Sequence, residues 1–319
     1  MSRLPPAFGF LREWRHRALH RVHGMFSGNP ADAPAPLAVH RIETLEAYRD
    51  HIARVGHDAW VQELALADAN PDKPFSIEGR CWVDNATVSF EVDYLYAEDL
   101  GTRRIPNWRE RVVCPICRMN NRQRASVHLA TEYLRLGPDS RIYITEQVTP
   151  SYTALRARHP GLVGSEFLGP DVAPGTVNEA GLRHEDVTQL SFPDAEFDAI
   201  LSFDVLEHVP GHRKALEECC RVLKPGGTLL FSIPFLQDSP ATRTRAHFDA
   251  SGQLVHDLPP MYHGDPVNPA EGVLCFHDFG WDILEHAREA GFSDATALVY
   301  RDPAYGYLGG WPILFAATR

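Results

Sequence analysis

Apolar and polar positions recur with two different periods along this chain, and each change of period marks a new element. In residues 41–69 the apolar side chains Ile42, Leu45, Tyr48, Ile52 and Val55 return every three or four positions, which predicts a long helix with one buried face. From 76 to 125 the pattern shortens to alternating stretches such as "TVSFEVDYLY", the period of half-buried strands, interrupted by "CPIC" at 114–117. "NRQRASVHLATEYLRLG" (121–137) returns to helical spacing through Val127, Leu129, Tyr133 and Leu136, with Gly137 as a stop. Beyond it, strands are predicted at 141–146, near 162–166, at 198–203 and at 228–233, and helices at 150–158, 213–223 and 281–290; two closing strands follow near 295–300 and 312–317. Strands separated by helices build parallel βαβ units, so the expected fold class is α/β with a doubly wound sheet. Ligands of such sheets sit beyond the carboxyl ends of the strands, at the topological switch point.

Composition narrows this picture. The 319 residues, 44% hydrophobic and 23% charged, suit one large domain beside a smaller one. No run reaches the eighteen or so apolar residues of a membrane helix, and the N-terminal "LPPAFGFLREWRHRALHRVHGMF" is interrupted by Arg12, Arg15, Arg17 and Arg21. A soluble, cytoplasmic protein without a membrane partner is expected. "NPADAPAPLAV" (29–39) has the composition of a linker, giving an expected division into a helical segment 1–75, a cysteine-bearing module 76–120 and a main domain 121–319. The cysteines form no disulfide framework: Cys114 and Cys117 make a C-x2-C, Cys219 and Cys220 are adjacent, Cys81 and Cys275 stand alone. That usage suits a reducing compartment and a metal site. Residues 1–130 carry 17 basic and 16 acidic side chains, so the remainder carries −12 of the total net charge of −11. An acidic main domain repels a phosphate backbone, which disfavours nucleic acid as the primary substrate.

The chemistry concentrates in "FDAILSFDVLEHVPGHRKALEECCRVLKPGGTLLFSIPF" (197–235): a buried strand, a polar exit at Asp204, Glu207 and His208, a helix, a Pro-Gly-Gly stop and a second apolar strand. This segment resembles the class I S-adenosylmethionine-dependent methyltransferases, in particular the type 11-like subgroup, and the resemblance continues more loosely from about 139 to 319. It implies a Rossmann-like sheet with a closing antiparallel hairpin and S-adenosylmethionine as cofactor. Carried over residue by residue, it gives Asp186 to the adenine amino group, the backbone of Val187 to the ring edge, Glu166 to the ribose hydroxyls, and Glu146, Phe203 and Asp204 to the surrounding strand ends. His208 is the candidate general base, with Glu207 beside it, though a structural role for the pair is also open.

The family's glycine-rich first loop is missing. Aligned on Glu146, the glycine positions hold Val148, Pro150 and Tyr152 in "TEQVTPSY". The same stretch is a good helix start, with Thr149 as N-cap and Pro150 at the first helical position, so Thr149 and Ser151 are candidates to hold the methionine carboxylate at a helix N-terminus. An arginine from "NNRQRA" would complete that contact. Three outcomes remain open: a shifted cofactor, a fold without cofactor acting as a binding module, or another small ligand.

Residues 236–280 form a long insertion after the fifth strand, which is expected to shape the acceptor pocket. Tyr262, His263, Asp265, His277 and Tyr305 are the candidate substrate residues, read as polar lining and not as metal ligands. In front of the main domain, Cys81, Asp84, Cys114 and Cys117 resemble a zinc ribbon with one cysteine replaced by aspartate, either a structural zinc site or a ribbon held by packing alone. The arginines around it leave open RNA base methylation as the alternative to a small-molecule acceptor such as a sugar or secondary metabolite, with O-methylation favoured from family usage.

Overall fold

A computed structural model describes residues 35–267 and 270–319, and the expected N-terminal helix and most of the linker lie outside them. In chain order the main elements are β1 (Val39–Ile42), α1 (Leu45–Ala69), β2 (Phe75–Cys81), β3 (Ala86–Val92), β4 (Val112–Val113), α2 (Asn121–Glu132), β5 (Ile142–Ile144), α3 (Pro150–Arg158), β6 (Val163–Gly164), β7 (Phe197–Phe203), α4 (His212–Val222), β8 (Leu223–Ser232), α5 (Ile283–Glu289), β9 (Asp294–Tyr300) and β10 (Ile313–Thr318).

Seven of these strands form one sheet in the order β1-β9-β10-β8-β7-β5-β6. β6, β5, β7 and β8 run parallel, whereas β10, β9 and β1 are antiparallel to their neighbours. The chain leaves β5 outward to β6 and returns on the other side to β7, so the switch point lies between β5 and β7. The fold is the Rossmann-like α/β sheet with a closing hairpin that the strand and helix alternation predicts. One boundary differs: "VHRI" is not helical but adds an edge strand, with Ile42 opposite Ala297. Thr44 explains the break, because its hydroxyl accepts from the amide of Ala47 and starts α1 at Leu45, four residues later than the predicted 41.

Strand alternation divides the core between the two faces. Tyr143, Ile200, Leu229 and Phe231 pack against Leu216, Cys219 and Val222 of α4 and Ile283, Leu284 and Ala287 of α5. Ile142, Ile144, Leu201 and Leu298 face Val127 and Leu129 of α2 and, in the same cluster, Phe90, Val112, Trp108 and Cys81 of the small three-stranded sheet β2-β3-β4. The cysteine-bearing module thus shares a hydrophobic core with one face of the large sheet.

Arg124 fastens this junction. Its side chain is fully buried, donates to the carbonyls of Tyr305, Gly306 and Val112, and lies 4.0 Å from the centroid of the Phe90 ring. Among the described residues no carboxylate pairs with it, so its charge is spread over carbonyl dipoles and a ring face. Gly306 makes room, since a Cβ there would meet Phe90 at 2.7 Å. A lysine keeps the charge but cannot reach three carbonyls from one nitrogen. Arg124→Lys is therefore expected to lower the unfolding free energy by about 2 kcal/mol or more, measured by chemical denaturation, with the fold retained.

Candidate functional site

The loop after β5 is shaped without glycine. Thr149 caps α3 by accepting from the amide of Tyr152 at 3.2 Å, Pro150 takes the first helical position, and Ser151 is buried. Glu166, just past β6, accepts the amides of Gln147 at 2.5 Å and Val148 at 2.9 Å on a single oxygen, Oε1. The Gln147 side chain extends the tie by donating to the Gly181 carbonyl and accepting from the amide of Arg183. The close approach that a loop glycine would allow occurs instead at Gly164 on β6, where a Cβ would stand 2.5 Å from the Tyr152 ring and 2.7 Å from the Glu146 carbonyl. The Tyr152 ring packs against the core. Glu146 is buried with its Oε1 unpartnered, and burial pushes its carboxyl up to about 8.

A turn before β7 and the end of β7 carry the remaining carboxylates. Asp186 accepts the amide and hydroxyl of Thr188 on Oδ1, and Val187 beside it is half-buried. Phe203 ends β7 in the core, and Asp204 follows with a φ of 54°, a left-handed conformation that non-glycine residues rarely adopt. Arg109 grips Asp204 with distances of 2.7 and 2.9 Å, Arg122 Nε lies at 3.1 Å, and Ser232 donates at 2.6 Å. Burial raises the Asp204 carboxyl, but the charges of Arg109 and Arg122 outweigh it and hold the group well below the usual carboxylate range. Arg122 is the arginine of "NNRQRA" that reaches this edge, whereas Arg124 does not. A cavity of about 180 Å³ opens beside it, lined by Arg109, Asn121, Arg122, Phe235, Gln237 and Tyr300.

Glu207 and His208 lie in the single turn that follows. His208 Nδ1 donates to the carbonyl of Leu274 at 2.8 Å, which leaves Nε2 facing the fully buried Glu207 carboxylate. His263 and Cys275, both from the insertion, converge on the same point. The Cys275 thiol and Glu207 push His263 up to about 10, and the two histidines outweigh burial to pull Cys275 down.

The other substrate candidates separate. Tyr262 is exposed, and half-buried Asp265 is close enough for its charge to raise Glu166, after burial. His277 is not at the cleft: it is buried with His212 and His286, whose ring nitrogens stand 3.2 and 3.1 Å from one another in a chain. Tyr305 is likewise core, stacked on Tyr307 in the turn whose carbonyls hold Arg124. Its aromatic spacing in "YGYLGG" resembles a pocket wall, but burial of both rings makes it a packing surface.

In the module, Cys81, Asp84, Cys114 and Cys117 bring their donor atoms within 4.8 Å of one another. Cys81 and Cys117 sulfurs are 3.8 Å apart, and Asp84 Oδ2 accepts from the Cys114 thiol at 3.0 Å and the Cys117 amide at 3.2 Å. The basic residues around the module are occupied: Arg109 by Asp204 and Glu110, Arg111 by Asp93, Arg118 by Glu91, Arg122 by Glu110 and Asp204.

Residues 152–231 match the family model described as a methyltransferase domain. A "probable S-adenosylmethionine-dependent methyltransferase" of Mycolicibacterium smegmatis is 42% identical over 53 residues, 17% of this chain and 21% of that protein. The 27-O-demethylrifamycin SV methyltransferase of Amycolatopsis mediterranei is 36% identical over 115 residues, 36% of each chain. The chain therefore spans well under two thirds of these curated relatives. An S-adenosylmethionine-dependent methyltransferase from Mesorhizobium loti aligns over 59% of this chain and 96% of its own, with 18% identity and a TM-score of 0.35. Residues 152–231 are thus similar to a methyltransferase domain, and the relatives that match part of the chain are named as methyltransferases. No helix among the described residues is long and apolar enough to cross a membrane.

Glu146 supplies a pH test. Its folded pKa stands above the ordinary 4.5, so the native state binds the extra proton between 4.5 and about 8 and stability is lost as pH rises through that window. Denaturation at a series of pH values is expected to show this fall in the wild type and a flatter profile in Glu146→Gln.

Proposed function

We propose that this chain transfers a methyl group from S-adenosylmethionine to a hydroxyl of a small molecule, such as a sugar or a secondary metabolite. Bound S-adenosylmethionine supplies a methyl group already activated on a sulfonium. The observation that carries the reading is a set of carboxylates after β5, after β6 and in the segment before β7, each with an oxygen to spare. Among the described residues Glu146 Oε1 is buried without a partner, and Glu166 and Asp186 each use one oxygen and leave the second without a hydrogen bond. Such acceptors fit the ribose hydroxyls, the adenine amino group and an ammonium, so the donor set suits the cofactor despite the absent glycines.

In this reading Glu166 has two tasks, ordering the loop with Oε1 and accepting from the ribose with Oε2. Asp186 and the Val187 backbone take the adenine edge. Thr149, Ser151 and the N-terminus of α3 face the methionine carboxylate, and Arg122 supplies the neighbouring positive charge. The acceptor enters under the insertion, near Tyr262, His263 and Asp265, and its proton leaves toward His208 and Glu207. The pairing of the module's arginines with carboxylates supports a small acceptor over RNA, because it leaves little free charge for phosphates. The Amycolatopsis relative, named for an O-demethylated small molecule, agrees with that choice.

The four ligand atoms of the module suit one structural zinc ion, with a harder carboxylate in place of the fourth sulfur. Cys114→Ser is expected to remove one zinc per chain by elemental analysis and to lower the melting temperature.

Calorimetric titration with S-adenosylhomocysteine tests the cofactor reading. Micromolar binding is expected in the wild type, weakened at least tenfold in Glu166→Ala and in Asp186→Ala. Absence of binding in the wild type overturns it.

A further inference from the structure

A second cluster of metal-type donors lies where strand β7 meets the insertion, joining the candidate base pair Glu207 and His208 to Cys275 and to His263, which the sequence spacing marks as polar lining. His208, His263 and Cys275 each offer a ligand atom, all within 4.8 Å of one another. Glu207 lies against them with its Oε1 3.6 Å from His208 Nε2 and 3.7 Å from His263 Nδ1. We propose that Cys275, His208, His263 and Glu207 form a binding site for one zinc-type divalent ion.

Three features of the geometry carry this. Glu207 is fully buried, and among the described residues neither of its carboxylate oxygens has a hydrogen-bond partner. A buried carboxylate left in that state is costly, and its histidine neighbours are just too far for hydrogen bonds. The separations suit coordination instead: zinc bonds of about 2.0–2.3 Å in a tetrahedron space their ligands roughly 3.3–3.8 Å apart. Lastly, His208 gives Nδ1 to the Leu274 carbonyl, the outer hydrogen bond that commonly orients a ligating imidazole and frees the other nitrogen for the metal.

The donors come from two parts of the chain. Glu207 and His208 follow β7, while His263 and Cys275 sit at the two ends of a short antiparallel ribbon, Tyr262–His263 with Val273–Leu274. That ribbon is already docked by the Phe276 amide on the Glu207 carbonyl and the Cys275 amide on Met261. An ion here clamps the insertion onto the strand end. With the ion bound, the four donors fill a tetrahedral shell as in a structural site, and His208 and Glu207 can take a proton only in the metal-free protein. The metal site itself stands on the four side chains and does not require the methyl-transfer reading.

The test counts zinc in full-length protein after reconstitution and dialysis, comparing wild type with Cys275→Ser, His263→Ala and Cys114→Ser. Loss of one equivalent in both Cys275→Ser and His263→Ala, with that equivalent retained in Cys114→Ser, is the expected result. A zinc content unchanged in Cys275→Ser and His263→Ala overturns the proposal and leaves a hydrogen-bonded thiol and imidazole cluster. His263 is partly exposed, so His263→Ala keeps its fold by circular dichroism and decides the matter if Cys275→Ser does not.

Discussion

The carboxylate of Asp204 is the point on which the two halves of the chain meet. It stands at the end of the central strand in a strained left-handed conformation, held by Arg109 from the module, Arg122 from α2 and Ser232 from the neighbouring strand. Arg122 and Asp204 are largely covered and Arg109 is partly exposed, and their pairing ties the module, helix and sheet to one relative arrangement. The cavity beside the strand ends inherits its shape from this arrangement, because Arg109 and Arg122 form part of its wall. A module that looks like an accessory in sequence is thereby part of the floor of the site.

The sheet was legible because its signals are local. Buried strands such as 197–203 are runs of apolar side chains, and α3 is announced by Thr149 and Pro150, so its limits agree with expectation to the residue. The edge strand β1 was hidden inside the period of the helix that follows it, and only Thr44 marks the boundary. Side-chain roles were harder to read. Arg122 lines the cavity, but Tyr305 and His277 are core, since one sequence cannot distinguish an aromatic or imidazole facing a ligand from one facing its own interior. The convergence of His263 and Cys275 on Glu207 was invisible for a different reason: these residues are far apart along the chain and joined only by the folding of the insertion.

Charge is distributed with the same economy. The main domain is strongly acidic in sequence, yet many of its carboxylates are committed to arginines or backbone amides in the interior and at the cleft. The ones left incompletely paired gather at the carboxyl edge of the sheet, where Glu146, Glu166 and Glu207 all have their protonation raised by burial. A site so built favours ligands that bring hydrogen-bond donors or positive charge and disfavours anions.

The contact between Tyr152 and Gly164 makes the two positions one steric unit. A glycine on β6 leaves room for the tyrosine, and the tyrosine occupies room that any side chain on β6 would need. A larger residue at 164 collides with the ring, and a glycine at 152 leaves a hole beneath the loop. Grafting a glycine-rich loop onto this sheet therefore means redesigning both positions in one step, because the effects of the two changes do not add.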